Sequence, residues 1–159
     1  MPRKVTVSLQ RIIPPDRKYQ SVLVQRLINK SMLKGKKMLA ERSVYEALEV
    51  AAKKLKKEDP LEVFEKALNN ISPNFEVKSR RVGGSNYQIP FPIQGHRQLH
   101  YAFSWLVQSA RTRTGSSYPQ CLAQEIVDAY NEAGGAFKKK EDTHKMAEAN
   151  RAFAHFARS

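Results

Sequence analysis

The sequence contains little of what marks a secreted or membrane protein. Cys121 is the single cysteine among 159 residues, so no disulfide can form within the chain, and this favours a reducing compartment. No run of about eighteen apolar residues is present, which predicts that no segment spans a membrane. The N-terminal sequence MPRKVTVSLQ lacks the apolar core of a signal peptide. We therefore expect no membrane-spanning segment and no partner within the membrane, and we expect Cys121 to be a small buried side chain.

Residue clusters that perform catalysis or hold a metal are also missing from the sequence. His96 and His100 are four residues apart on a predicted helix, but no cysteine or carboxylate nearby completes a metal site. Asp142 and His144 have no nucleophile motif beside them, and Gly83-Gly84 lacks the spacing of a phosphate-binding loop. The sequence thus predicts no catalytic residue, no metal and no cofactor.

Positive charge is what the sequence has in excess. Its 28 lysines and arginines exceed its 15 aspartates and glutamates by 13, and the pI is near 10.0. Residues 1–42 carry a net charge of +9, residues 75–114 carry +5 and residues 137–159 carry +3. Three cationic segments separated by nearly neutral ones favour a polyanionic partner, with nucleic acid first and an anionic membrane second.

A basic β-hairpin is predicted over residues 75–93. Phe75 and Val77 alternate with charged residues on the first arm, which predicts an apolar face there. Gly83-Gly84 allows a tight turn with positive φ. We expect the hairpin to project from the body with basic residues near its tip, and its prolines to keep the second arm at an edge.

The rest of the chain predicts one mainly α-helical domain of six helices, with the hairpin between the third and fourth. Apolar residues recur every three or four positions in each predicted helix, and Asp59-Pro60 is a strong helix start. The predicted helices cover about 21–32, 37–56, 60–72, 95–114, 117–131 and 137–157, with Gly134-Gly135 ending the fifth. Residues 1–18 are predicted to be an extended basic arm that orders on a polyanion, and 19–159 the helical domain.

Aromatic side chains leave two interpretations open. Tyr87 and Phe91 are placed to stack on bases or to pack in the core, and their alternation with polar neighbours favours the core. Trp105 lies beside the apolar stripe of the fourth helix, where covering a helix junction is favoured over stacking on a base.

Four stretches carry a resemblance to a known family. They are VKSRRVGGSNYQIP (77–90), KKKEDTHKMAEANRAFAHF (138–156), INKSMLKGKK (28–37) and DPLEVFEKALNNISP (59–73). Together they resemble ribosomal protein seven of the small subunit, in its bacterial or organellar form, and they occur in that family's order over nearly the whole chain. The resemblance implies six helices with a hairpin between the third and fourth, which agrees with the pattern read from the residues.

The resemblance also implies a function and partners. The expected function is that of a structural constituent of the small ribosomal subunit, which binds the 3′ major domain of the rRNA and nucleates assembly of the head. The hairpin and C-terminal helix would lie near exit-site tRNA and the mRNA path, with ribosomal protein eleven and other head proteins as neighbours. The implied location is a cytoplasmic ribosome, with an organellar ribosome as the other location that the resemblance allows.

The implied RNA-binding residues fall in the hairpin motif, the C-terminal motif and two basic clusters. They are Lys78, Arg80, Arg81, Gly83, Gly84, Lys139, Lys140, His144, Lys145, Asn150 and Arg151, with Arg3, Lys4, Lys34, Lys36 and Lys37 in the clusters. Residues 93–99 and 112–120 depart from the family pattern, so RNA contacts by Arg97, Arg111 and Arg113 have less support. The alternative function is that of a free-standing regulator that binds DNA or mRNA.

Overall fold

The computed structural model describes residues 12–158. The α-helices in this range are α1 (Val22–Ser31), α2 (Lys37–Leu55), α3 (Pro60–Ile71), α4 (His96–Thr112), α5 (Tyr118–Tyr130) and α6 (Gly134–Ala149). Strands β1 (Phe75–Val82) and β2 (Ser85–Pro92) form an antiparallel hairpin between α3 and α4, and a C-terminal 3-10 helix (Arg151–Arg158) follows α6. The mainly helical fold with its hairpin is as predicted. No helix within 12–158 combines the length and apolar composition needed to cross a membrane.

The first five helices begin and end within two residues of their predicted bounds. The clearest case is α3, where the Asp59 side chain accepts a hydrogen bond of 2.8 Å from the Leu61 backbone N–H. Pro60 occupies the first helical position, where its missing N–H removes no helical hydrogen bond. These local signals depend on the backbone chemistry of a few neighbouring residues, which is why they can be read from sequence.

Helix α5 lies at the centre of the hydrophobic core and packs against α2, α3 and α4. Its Leu122 and Ile126 are fully buried, and so are Phe64 of α3 and Leu106 of α4. Each such side chain stabilises the fold by roughly 1.5–3 kcal/mol when it leaves water. The core therefore holds α2, α3 and α4 around α5, and the hairpin tip lies outside it.

Two side chains with predicted positions have them in the structure. Cys121 is buried in the core, as predicted. Trp105 is partly buried against the core, with its ring centroid 5.4 Å from that of Tyr101. Trp105 therefore lies at the boundary of the core, as the sequence favoured, and its covering of a helix junction stays a prediction.

The start of α6 differs from the prediction, because Gly134 and Gly135 begin this helix instead of separating two helices. Glu125 of α5 is buried, and its Oε1 accepts a hydrogen bond of 2.8 Å from the Ala136 backbone N–H. A Cβ on Gly135 would lie 3.0 Å from Ser109 Oγ, so the glycine lets the start of α6 approach α4 closely. The glycines are therefore needed for packing, which local breaker rules do not predict.

The end of α6 also differs from the prediction of one helix over 137–157. The α-helix stops at Ala149, and the chain continues as a 3-10 helix. Asn150 Nδ2 donates to the Met146 carbonyl oxygen at 2.8 Å, while the Phe153 N–H donates to the Asn150 carbonyl at 3.0 Å. The asparagine side chain thus competes for a helical acceptor, and the tighter i to i+3 turn follows.

The predicted basic arm, 1–18, is described only from residue 12 onward; Arg3 and Lys4 lie outside the described residues. Residues 12–18 contain no helix or strand, but Asp16 is only 1% exposed and anchors them. Its carboxylate accepts from the backbone N–H groups of Tyr19 and Ser21, both at 2.8 Å, and from the Tyr45 hydroxyl at 3.1 Å. Residues 16–21 are therefore held on α2; that the basic arm orders on a polyanion stays a prediction.

The charge of Asp16 is stabilised where it lies. Burial acts to raise the pKa of Asp16, but the hydrogen bonds from the backbone and from Tyr45 outweigh it and hold the pKa below its usual range. Burial, followed by the bond to Asp16, raises the pKa of Tyr45 to about 12. An ionised carboxylate and a neutral tyrosine therefore hold the arm on α2 at neutral pH.

Candidate nucleic-acid interface

The tip of the hairpin is a two-residue turn formed by the paired glycines. Gly83 and Gly84 have φ of 56° and 90°, and Val82 pairs with Ser85 across them, as a tight hairpin turn requires. A Cβ on either glycine would meet no atom within 4 Å, so the turn is open to a partner that approaches closely. Arg81, just before the turn, is exposed.

The hairpin packs against the C-terminal 3-10 helix. The Tyr87 ring centroid lies 5.0 Å from that of Phe153 and 5.5 Å from that of Phe156. Arg80 Nη1 donates to the Phe156 carbonyl oxygen at 3.0 Å. Tyr87 therefore packs within the protein, as the sequence favoured, although it does so outside the main core. Arg80 has a structural contact that its exposed neighbour Arg81 does not share in the described range.

Glu76 connects the base of the hairpin to α4 and reverses the predicted alternation of β1. It is 4% exposed whereas Phe75 is 43% exposed, so the charged residue points inward on this strand. Its carboxylate accepts from Arg97 Nε at 2.6 Å and from the Tyr101 hydroxyl at 2.7 Å, and it lies 2.8 Å from Lys78 Nζ. The prediction of an apolar face on the first arm is therefore wrong, because Arg97 and Tyr101 of α4 supply hydrogen-bond donors to the buried carboxylate.

These contacts shift the protonation equilibria of the Glu76 cluster. Burial acts to raise the pKa of Glu76, but hydrogen bonds from Lys78, Arg97 and Tyr101 outweigh it and lower the pKa. The bond to Glu76, followed by burial, raises the pKa of Tyr101. Lys78 and Arg97 are thus partly neutralised by a carboxylate of the same chain, and they are less available to an external anion than an unpaired cation.

His144 joins α6 to the entry of the hairpin. Its Nε2 accepts a hydrogen bond of 3.0 Å from the Asn74 backbone N–H, and its ring centroid lies 6.2 Å from that of Phe75. Burial and the nearby charge of Lys140 lower the pKa of His144, which keeps the imidazole neutral and able to accept. The geometry gives His144 a structural contact, and its predicted RNA contact stays a prediction.

The other residues of the predicted C-terminal site divide into two groups. Lys139 Nζ donates to Gln108 Oε1 at 2.8 Å, and Lys140 Nζ donates to the Asn70 carbonyl at 2.6 Å. Asn150 ends α6 as described above. Lys145 and Arg151 are exposed and have no ion pair with a described residue. These two are the members of the motif that are best placed to bind a polyanion.

The connection between α1 and α2 forms a separate cationic surface. Lys34, Lys36 and Lys37 are exposed there, and a left-handed turn at Lys34 and Gly35 presents them. Large apolar side chains are exposed beside them, namely Leu33, Met38 and Leu39. Cations next to exposed apolar side chains suit a partner that offers both phosphates and unstacked bases.

Arg111 and Arg113, whose RNA contacts had less support in the sequence, have partners within the protein. Arg111 Nη2 donates to the Ser31 carbonyl oxygen at 3.2 Å and so ties α4 to α1. Arg113 Nε donates to Glu125 Oε2 at 2.7 Å, and its Nη2 forms an ion pair with Asp128. Both arginines hold α4 in place.

Sequence reasoning missed one group of basic residues that the fold brings together. Arg26 and Lys30 of α1 face His96 and His100 of α4 across a groove of about 370 Å³. Both pairs have four-residue spacing, which was a signal that each lies on one helix face; the histidine pair was weighed only as a metal site. No group of three or more histidine, cysteine or carboxylate side chains suited to a metal occurs in the described part of the chain.

The chain is similar to ribosomal proteins over nearly its full length. The family model described as Ribosomal protein S7p/S5e matches residues 2–151. A protein of Chloroflexus aggregans named small ribosomal subunit protein uS7 is 56% identical over 158 residues, which cover 99% of each chain. Proteins of the same name from Thermomicrobium roseum and Dictyoglomus turgidum are 54% and 52% identical, each over 98% of this chain and 99% of its own.

Proposed function

The chain belongs to the Ribosomal protein S7p/S5e family and is a structural, non-catalytic protein of the small ribosomal subunit, and from that premise we propose that it binds the 3′ major domain of small-subunit rRNA and nucleates assembly of the head. One observation carries this proposal. Lys34, Lys36, Lys37, Arg81 and Arg151 are all exposed, and none forms an ion pair with a described residue. Such cations are available to phosphates.

The proposed mechanism is charge neutralisation at a junction of RNA helices. RNA helices repel one another, and cations held on a rigid protein surface lower that repulsion and release counterions. Internal contacts hold several elements of this surface: Asp16 holds residues 16–21 on α2, Glu76 joins the hairpin to α4, and the 3-10 helix packs on β2. Preorganised cations bind with a smaller loss of conformational entropy than cations on a disordered chain.

In this proposal the hairpin and the C-terminal 3-10 helix also face partners other than the rRNA. They form one surface that lies near exit-site tRNA and the mRNA path, with ribosomal protein eleven and other head proteins beside it. The packing of Tyr87 against Phe153 and Phe156 supports a shared role, since it joins the two elements into one surface. The ribosome of the cytoplasm is the proposed location. The family assignment favours this role over that of a free-standing regulator.

The experiment is binding of the purified chain to a fragment of the 3′ major domain, with a scrambled RNA of equal length as control, over a series of salt concentrations. We expect the authentic fragment to bind at least roughly tenfold tighter, about 1.4 kcal/mol, and the preference to persist as salt rises. Equal affinities that fall together with salt would show only non-specific attraction and would overturn the proposal.

A further inference from the structure

The groove between α1 and α4 is lined by cations and apolar side chains, and it lies outside the RNA-binding residues predicted from the sequence. Arg26 and Lys30 line one side, His96 and His100 line the other, and Leu99 and Phe103 are among the apolar residues. No carboxylate among the described residues lines it. This composition suits a ligand that is anionic at one end and planar or apolar at the other.

Arg26 has an unsatisfied hydrogen-bond donor at this groove. Its Nε is enclosed by protein and has no acceptor among the described residues, and its Nη2 has only a long contact of 3.4 Å to His96 Nδ1. Arg97 and Arg113 differ, because each is paired with a carboxylate. An enclosed donor without an acceptor is destabilising, and more so when it is charged. The guanidinium of Arg26 nevertheless lines the groove and has no ion pair with a described carboxylate, so an external anion in the groove can pair with its charge.

The chain itself offers no carboxylate for this position from its N-terminal arm. Ile13 lines the groove, and the sequence of residues 1–11 contains no aspartate or glutamate, while Asp16 already accepts from Tyr19, Ser21 and Tyr45. Glu76 of β1 contacts α4 through Arg97 and Tyr101, and that carboxylate already has three partners. The counterion for Arg26 is therefore expected from another molecule.

We propose that the α1–α4 groove holds one unstacked nucleotide of the bound RNA, with its phosphate at Arg26 and Lys30 and its base beside His96 and His100. Proteins that read RNA commonly take a base out of the stack and place it against aromatic or imidazole rings, while cations hold the backbone. The volume of about 370 Å³ lies within the range of small-ligand sites. This inference rests on the proposed function and adds a base-binding site to it.

The test compares the intact chain with two groove variants and a charge-matched control on the 3′-major-domain fragment. Arg26→Gln removes the phosphate contact, so we expect roughly tenfold weaker binding and a salt slope lower by about one. His100→Ala removes the stacking surface, so we expect several-fold weaker binding with an unchanged salt slope. The control, Lys54→Gln, lies on the α2–α5 face beside Gln124 and should retain the wild-type affinity within about twofold.

Each outcome decides between explanations. If wild type prefers the authentic fragment but Arg26→Gln binds like the control, the groove is not part of the interface. If Arg26→Gln weakens binding and His100→Ala does not, a phosphate alone is bound and the nucleotide proposal is wrong. Equal wild-type binding to authentic and scrambled RNA overturns the proposed function, and the nucleotide site with it. If Arg26→Gln shows no cooperative unfolding transition and is therefore not folded, Lys30→Gln takes its place, because the Lys30 side chain is exposed.

Discussion

Replacing Glu76 by glutamine should lower the stability of the protein and raise its affinity for RNA. The amide retains the shape of the side chain, and it still accepts from the Tyr101 hydroxyl, but it removes the charge that faces Lys78 and Arg97. Both cations are about half exposed, so water solvates them once the carboxylate charge is gone. The change in stability is therefore smaller than for a fully buried ion pair, where loss of one partner costs about 3–5 kcal/mol.

The expected magnitude follows from the contacts of Glu76. Each half-exposed ion pair contributes up to about 1 kcal/mol, and weakening a hydrogen bond to a charged acceptor costs about another 1 kcal/mol. The free energy of unfolding should therefore fall by about 1–3 kcal/mol, which lowers Tm by roughly 4–8 °C for a decrease of about 2 kcal/mol in a chain of this size. Urea unfolding followed by circular dichroism measures this change.

In contrast to its loss of stability, Glu76→Gln should bind RNA more tightly. Lys78 and Arg97 gain freedom to contact phosphates, so the salt slope should rise by about one and the affinity by up to roughly tenfold near 50 mM salt. The charge-matched control is Glu62→Gln, since Glu62 is exposed and forms only a long ion pair of 3.7 Å with Lys57. A variant at Glu76 that matches this control in both stability and salt slope would refute the account of the hairpin base.

Three further predictions concern single side chains. Arg81→Ala should weaken RNA binding several-fold at low salt without a change in Tm. Arg80→Ala should also remove the hydrogen bond to the Phe156 carbonyl, which releases the 3-10 helix and increases hydrogen exchange of its backbone amides. Equal amide exchange in both variants would contradict this. Glu125→Gln should lower the free energy of unfolding in urea by about 3–5 kcal/mol, because it leaves Arg113 partly unpaired and weakens the hydrogen bond from the Ala136 N–H at the start of α6. A decrease below about 1 kcal/mol would be inconsistent with this role of Glu125. The pKa of Asp16 is lowered on folding, so its contribution to stability is complete above the ordinary value near 3.8 and is lost as the pH falls through the lower, folded value. Asp16→Asn should therefore flatten the acid side of a plot of unfolding free energy against pH. An unaltered acid side would argue against this role.

The helices and the hairpin turn could be predicted because their signals are local. Asp59 and Pro60 act through the backbone of their own helix, and Gly83-Gly84 provides the positive φ that its own turn requires. In contrast, burial of Glu76 depends on α4, which lies about twenty residues further along the chain. A two-residue period reports which residues alternate, and it does not report that a charged residue has partners on the inner face.

The candidate interface could be predicted in part for the same reason. Runs of basic residues such as Lys34 to Lys37 are visible in the sequence, and they are exposed in the structure. Which cations are neutralised within the chain depends on contacts between distant elements, so the pairing of Lys78 and the structural bond of Arg80 could not be read from a charge count. The groove at Arg26 could not be read from the sequence because its lining residues come from α1 and α4, which are distant in the chain.

Hydroxyl-radical footprinting of the chain on small-subunit rRNA tests the central claim most directly. The account predicts protection confined to the 3′ major domain, and loss of part of that protection when Lys34, Lys36 and Lys37 are replaced by alanine while the helical signal is retained. Protection scattered over other domains, or a footprint that the triple variant leaves unchanged, would contradict the claim that these exposed cations hold the protein on the head of the small subunit.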